Sequence, residues 1–229
     1  MRMNADVGED PRSVDDGSQA ALLHLVDDAN VACGGHAGDA HSMAQTVAQC
    51  RALGVAVGAH PSTPDRVTFG RGPITSPPRV VADAVRAQLE EMQRVCLRHD
   101  VAVAHVKPHG ALYHAASDDD AWALLVLDAM RAVGLEVPLV VLAGARTTPT
   151  LVARGARVRA EGFADRALDA AGRLVPRDAP GALITDPARA AEHARDLAAR
   201  GIDTVCVHGD TPGALAIARA VRDALGLRR

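Results

Sequence analysis

Aromatic side chains are scarce in this 229-residue chain: one Trp, one Tyr and two Phe make up 2% of it. So few rings cannot build the stacking platforms that bind single-stranded nucleic acid or line a polysaccharide groove. An excess of one charge is lacking too. With 25 basic against 28 acidic residues the net charge is −3, so no electropositive field gathers nucleic acid or an anionic membrane. No apolar run approaches the roughly 20 residues of a bilayer span, and Asp6 interrupts the N-terminus before a signal-type hydrophobic region could form. A cytoplasmic protein is expected. The four cysteines, Cys33, Cys50, Cys96 and Cys206, contain no C-x-x-C pair and read as buried free thiols. Cys33, close to His36, could also be imagined as a nucleophile.

Lysine is the sharpest shortage. Of the 25 basic residues one is a lysine, Lys107, and the other 24 are arginines. Where charge merely needs solvation the two substitute for one another, but a compact ammonium with a tunable pKa has no guanidinium equivalent. Lys107, flanked by His105 and His109, is therefore a leading functional candidate. Because Pro108 follows it, the chain has no G-x-x-x-x-G-K-[ST] phosphate loop, and it also lacks a G-x-S-x-G elbow. Any nucleotide must be handled by other means or through a partner.

What is present in quantity is apolar and helix-forming, with 48% hydrophobic residues. Short β-type runs are expected at Arg2 to Asp6, Asn30 to Cys33, Val55 to Ala59, Val101 to Val106, Pro138 to Leu142, Arg157 to Glu161 and Thr204 to Val207. Helical spacing marks Ala40 to Leu53, Arg79 to Arg98, Asp118 to Val133, Pro187 to Arg200 and Gly213 to Leu225. Strands alternating with helices of this length predict βα units around a parallel sheet. About seven of them in one chain fit a seven-stranded, incomplete β/α barrel better than an open doubly wound sheet. No linker separates parts of the chain, so residues 1–229 are expected to form a single barrel domain. Two irregular stretches, Pro61 to Pro78 with five prolines and Phe163 to Gly181, are long enough to be active-site loops.

Ionisable residues cluster at the ends of those strands. Asp6 and Glu9 follow the first, His36 and Asp39 the second, and His60, Ser62, Asp65 and Arg66 the third. Lys107 and His109 follow the fourth, Glu161, Asp165 and Arg166 end or follow the sixth, and His208 and Asp210 follow the seventh. In parallel βα folds all these carboxyl ends meet on one face, the face that carries chemistry. Histidines and carboxylates can move protons near pH 7, an ammonium can stabilise an oxyanion, and arginine can grip carboxylate or phosphate. A divalent metal is possible, with Asp6, His36, His60, His109 and His208 able to supply its ligands and Asp6, His36 and His60 foremost if one is bound. His24, His41, His99, His114 and His193 read as surface or helix residues.

The motifs N-A-D-V-G-E at Asn4 to Glu9, A-N-V-A-C-G-G-H-A-G-D at Ala29 to Asp39, G-A-H-P-S at Gly58 to Ser62, V-K-P-H-G-A-L-Y at Val106 to Tyr113, E-G-F-A-D-R at Glu161 to Arg166 and V-H-G-D at Val207 to Asp210 together resemble the LamB/YcsF family of 5-oxoprolinase A subunits. The likeness extends over essentially the whole chain. It implies a barrel of the glycoside hydrolase/deacetylase type and ATP-dependent opening of 5-oxo-L-proline to L-glutamate. Partner subunits B and C would share the work, and ATP would enter as co-substrate through them. Carried over residue by residue, it places Asp6, Lys107, His109, Glu161 and His208 in catalysis. Asn4, Glu9, His36, His60, Asp165, Arg166 and Asp210 would bind substrate. Gly35 departs from the pattern, standing where the family usually has an aromatic. Two other readings remain open: a metal-dependent deacetylase or amidohydrolase acting without ATP, and a binding component that carries a lactam without transforming it.

Overall fold

The computed structural model describes residues 1–169 and 172–227. Seven parallel strands, β1 (Arg2–Val7), β2 (Asp28–Ala32), β3 (Ala56–His60), β4 (Val103–Val106), β5 (Leu139–Leu142), β6 (Val158–Phe163) and β7 (Thr204–Cys206), close into a barrel in sequence order. β7 returns to β1 through the pairs Arg2 with Thr204, Met3 with Val205 and Asn4 with Cys206. The β4–β5 seam is the thinnest, resting on the Val106–Leu139 pair and the Val106 N–H donating to Pro138 O at 2.9 Å.

Each strand alternates between two environments because successive side chains point to opposite faces. In β1, Met3, Ala5 and Val7 face the helices and join the main apolar cluster, whereas Asn4 and Asp6 face inward and are hydrogen-bonded there. The same alternation recurs in β2, where Ala29 and Val31 pack outward and Asn30 bonds inward. Barrel interiors are usually filled by branched apolar residues. This one is filled by a hydrogen-bonded polar stack, tolerated because the buried carboxylates Asp6, Glu161 and Asp28 each have a cationic partner. At its floor Asp28 binds Arg2 at 2.7 Å and Arg159 at 3.1 Å.

Around the barrel lie α1 (Pro11–Asp15), α2 (Ser18–Leu23), α3 (Ala40–Leu53), α4 (Pro78–Arg98), α5 (Gly110–Asp118), α6 (Asp120–Ala132), α7 (Thr148–Ala153), α8 (Pro187–Ala199) and α9 (Ala214–Ala224). Their starts follow side-chain chemistry. Asp39 caps α3 through the His41 and Ser42 amides, with Ser42 answering the Asp39 amide, and Pro78 and Pro187 open α4 and α8. α4 buries Val81, Val85, Leu89, Met92 and Val95 on one stripe. None of the described helices is long and apolar enough to cross a membrane.

The expected helix from Asp118 to Val133 is α6, and α5, a helix not expected from the sequence, ends just before it. Asp119 is extended and caps α6 by accepting from the Ala121 amide, so the chain turns there and α5 runs back to Gly110. α1, α2 and α7 are short and escape the periodicity test, which needs a longer window. Strand limits also shift: His60 lies inside β3, and Glu161 lies inside β6 rather than at its end. Of the expected loop from Phe163 to Gly181, residues 170–171 lie outside the described residues.

Candidate active site

The carboxyl ends of the strands surround a cleft of about 580 Å³, lined among others by Asp6, His60, Lys107, His109, Arg166 and His208. Its base is Lys107. The ammonium lies 3.0 Å from Asp6 Oδ1 and 3.0 Å from Glu161 Oε1, with Cys206 Sγ at 3.2 Å and Asn4 Oδ1 at 3.4 Å. Burial works against its charge, but Asp6, Cys206 and Glu161 outweigh that and raise its pKa well above the ordinary value. Burial likewise opposes ionisation of Asp6, yet neighbouring positive charge, with the Lys107 ammonium 3.0 Å away, holds its carboxyl well below the usual range. The two form a buried ion pair at the base of the cleft.

Beneath this pair the interior is wired by amides. Asn4 Nδ2 donates to Glu161 Oε1 at 2.9 Å and to Thr204 Oγ1 at 2.8 Å. Asn30 Nδ2 donates to Asn4 Oδ1 at 2.7 Å and Asp6 Oδ1 at 2.8 Å, and His105 Nε2 donates to Asn30 Oδ1 at 2.6 Å. Burial drives the His105 pKa down to about 3, so the ring is neutral. Glu161 and Asn4, expected in catalysis and substrate binding, thus sit under Lys107 and are not among the residues that line the cleft. Asn30, His105 and Cys206 belong to the same stack, Tyr113 lines the cleft beside it, and none of the four was assigned a role from sequence. The signal for the first two was a polar residue at alternate positions of an otherwise apolar strand.

Three histidines gather on one side. His36 Nε2 meets Glu9 Oε1 at 2.9 Å, His60 Nδ1 donates to Lys107 O at 2.7 Å, and His109 Nδ1 faces His60 Nε2 at 3.0 Å while its Nε2 donates to Phe69 O at 2.9 Å. His36 stacks on His109 with ring centroids 3.6 Å apart. Burial, then the neighbouring imidazoles, hold His109 well below its ordinary pKa, and burial lowers His36 as well. Phe69, which presents that carbonyl, is one of two non-glycine residues at positive φ among those described, at 56°. The strained residue lies in the proline-rich loop, which is fastened to the site where Ala111 N–H donates to Gly70 O at 2.8 Å.

On the opposite side Asp165 and His208 form a dyad. Asp165 accepts from His208 Nδ1 at 2.9 Å, from the His208 amide at 3.0 Å and from Thr211 Oγ1 at 2.5 Å. This fixes the tautomer and turns His208 Nε2 toward Asp6 Oδ2, 4.0 Å away. Burial opposes protonation of His208, but Asp165 prevails and its pKa is raised. Arg166 closes the cleft wall. It is 6% exposed, donates to Val175 O at 2.6 Å, and leaves its Nε without a partner. Burial and the nearby Arg177 lower its pKa, the mark of a site short of negative charge.

Several expected site residues do other work. Asp210 is exposed and holds Arg71 at 3.0 Å and Arg177 at 2.6 Å across the rim. Asp39 is a helix cap, Asp65 binds Thr68, and Arg66 ties the Gly34 and Gly38 carbonyls. Burial pushes the Cys33 thiol up to about 12, and it is engaged with Val31 O and the His60 amide, which disfavours the thiolate that a nucleophile needs. Gly35 has no room for the aromatic expected there, because Ser62 and Gln88 occupy the space of its missing side chain. His114, at the outer edge, does line the cleft.

A closed parallel barrel with an ammonium, paired carboxylates and histidines at its carboxyl mouth defines a β/α-barrel protein whose cleft holds groups able to move protons. More particularly, the chain belongs to the LamB/YcsF family, which matches it over residues 1–228. It is 42% identical to the 5-oxoprolinase A subunit of Chloroflexus aggregans, covering 97% of this chain and 94% of that one. The corresponding A subunit of Methylococcus capsulatus is 41% identical, covering 99% and 92%. The crystal structure of the lactam utilization protein from Thermus thermophilus superposes with a TM-score of 0.87 at 36% identity, covering 99% of this chain and 96% of that one.

Proposed function

We propose that this chain is the A subunit of an ATP-dependent 5-oxoprolinase, opening the lactam of 5-oxo-L-proline to L-glutamate together with partner subunits B and C in the cytoplasm. The observation that carries the reading is the buried Lys107 between Asp6 and Glu161 at the base of a cleft whose wall holds an arginine lacking a full set of partners. The names of relatives matched over nearly the full chain support the substrate.

A lactam is a stable amide, so ATP has a clear use. Transfer of a phosphoryl group to the amide oxygen releases ADP and leaves the ring carbon electrophilic. Water then adds to that carbon, the C–N bond breaks as the ring nitrogen takes a proton, and a second water removes phosphate from the resulting acyl phosphate. Two waters are consumed per glutamate. Asp6, kept ionised at the cleft, suits the base that orients and deprotonates water. His208, with its raised pKa and its Nε2 turned into the cleft, suits the donor to the ring nitrogen, and Asp165 holds it. His109 is the less suited donor, since its pKa is lowered. Lys107 supplies positive charge beneath the developing oxyanion, and Arg166 grips the substrate carboxylate or the phosphoryl group. Without a phosphate loop in this chain, ATP enters through the partner subunits.

Glutamate release from 5-oxoproline with ATP, measured for this chain alone, the partners alone and the mixture, tests the proposal. Release from the complete mixture only is the expected result; silence of that mixture refutes it. The histidine cluster beside Glu9 favours one second reading, a metal-dependent amidohydrolase. Cleavage of simple amides by this chain alone, indifferent to ATP, would put that reading first.

A further inference from the structure

Two backbone carbonyls decide which nitrogens of the histidine cluster carry hydrogen. A carbonyl oxygen only accepts, so His60 Nδ1 and His109 Nε2, which bond to Lys107 O and Phe69 O, are both the protonated nitrogens of their rings. The opposite nitrogens, His60 Nε2 and His109 Nδ1, are then left with lone pairs, and these face each other at 3.0 Å. Glu9 Oε1, also an acceptor, lies 3.5 Å from His109 Nδ1 and 2.9 Å from His36 Nε2. Asp6 Oδ2 adds a second carboxylate 3.4 Å from His60 Nε2. Electron-rich atoms thus converge in a buried place where their repulsion is not screened by water.

We propose that Glu9, His36, His60 and His109 form a binding site for one divalent transition-metal ion of the zinc class. Each residue offers one ligand atom, all within 4.8 Å of one another. A tetrahedral ion with bonds of about 2.0–2.1 Å sets its ligand atoms about 3.3 Å apart, and the separations of 2.9, 3.0 and 3.5 Å bracket that spacing. Ligating imidazoles commonly donate their other nitrogen to a backbone carbonyl, the arrangement of His60 and His109. Imidazole ligands favour zinc, cobalt or nickel over magnesium or calcium. Against the ligands expected from sequence, Glu9 enters, while Asp6 Oδ1 is taken by Lys107 and Asn30 and His208 is held by Asp165. The site stands independently of the lactam-opening reading, because its test measures binding and not turnover.

The full chain, stripped with a chelator, is titrated with Zn²⁺ against a chromogenic competitor and with Co²⁺ by visible absorption. Wild type is expected to take up one equivalent, to show the intense bands of tetrahedral cobalt, and to melt at a higher temperature with Zn²⁺. Glu9→Gln, a conservative change at a half-buried position, should weaken binding on the order of 100-fold. His41→Asn, on the exposed face of α3, should not. Substoichiometric uptake by wild type, unchanged affinity in Glu9→Gln and His36→Asn, or weak octahedral cobalt bands would each overturn the proposal. So would nitrogen NMR placing a proton between His60 and His109 in a protein that ignores Zn²⁺. The wild-type cobalt spectrum decides even if a variant fails to fold.

Discussion

Lys107 is buried with two carboxylates, so it does two jobs that a single substitution would confuse. Lys107→Met leaves Asp6 and Glu161 facing one another without a counter-charge, which is expected to cost about 3–5 kcal/mol of stability and to lower glutamate release by the assembled enzyme at least about 100-fold. The stability loss has a signature. The remaining carboxylates share a proton when folded, so a folded pKa rises above the unfolded value and the variant gains stability as pH falls toward it. Adding Glu161→Gln should restore much of the stability and none of the activity; recovery of turnover in the double variant would mean that Lys107 only neutralises charge. The dyad offers a second check. Asp165 raises the His208 pKa, so Asp165→Asn should move the alkaline limb of the kcat/KM profile to lower pH while the acid limb stays. An unmoved alkaline limb would take the proton-donor role from His208.

At the scale of elements, the inner face of each strand is matched to its neighbour's side chain. Gly58 of β3 lies directly under the His105 ring of β4, and a methyl group there would overlap the imidazole. Gly58→Ala is expected to destabilise by about 1–3 kcal/mol through overpacking and to break the His105–Asn30–Asp6 chain. Gly134→Ala, in open space at φ 74°, carries only backbone strain and should cost on the order of 1 kcal/mol. Urea denaturation of the two variants compares these expectations; equal losses would show that His105 moves aside freely. Gly110 obeys the same logic, since its missing side chain leaves room for the Gly70 carbonyl that anchors the proline-rich loop to α5.

At the scale of the whole molecule, the polar barrel interior ties stability to pH. The folded His105 pKa of about 3 lies below the unfolded value of about 6.5. Between those values the unfolded chain binds a proton that the folded chain does not, so stability is full above about pH 6.5 and falls on acidification. Asp165, also lowered, extends the loss below the unfolded carboxylate range. His208 runs the other way: its raised pKa gives stability that is present below the unfolded value and disappears as pH rises through the folded one. A urea midpoint that declines from about pH 6.5 to about 4, and declines less steeply in His105→Asn, is the expected result. A midpoint independent of pH in that range would mean that His105 titrates normally.

The alternation of short apolar strands with helices, the carboxylate and histidine at successive strand ends, and the lone lysine were legible in the sequence by itself, because side-chain period and turn chemistry are local properties. They were enough for the seven-stranded β/α barrel and for the neighbourhood of Asp6, His60, Lys107, His109 and His208. Pairing is not local, and only the tertiary structure decided it. Barrel closure brings β1 against β7 and sets Asn4 beside Glu161, 157 positions away, so Glu161 lies under Lys107 instead of facing the cleft. Glu9 joined the three histidines and Asp210 was drawn off to the rim arginines for the same reason: a charged side chain takes its role from the partners that satisfy it when buried, and the sheet register chooses those partners.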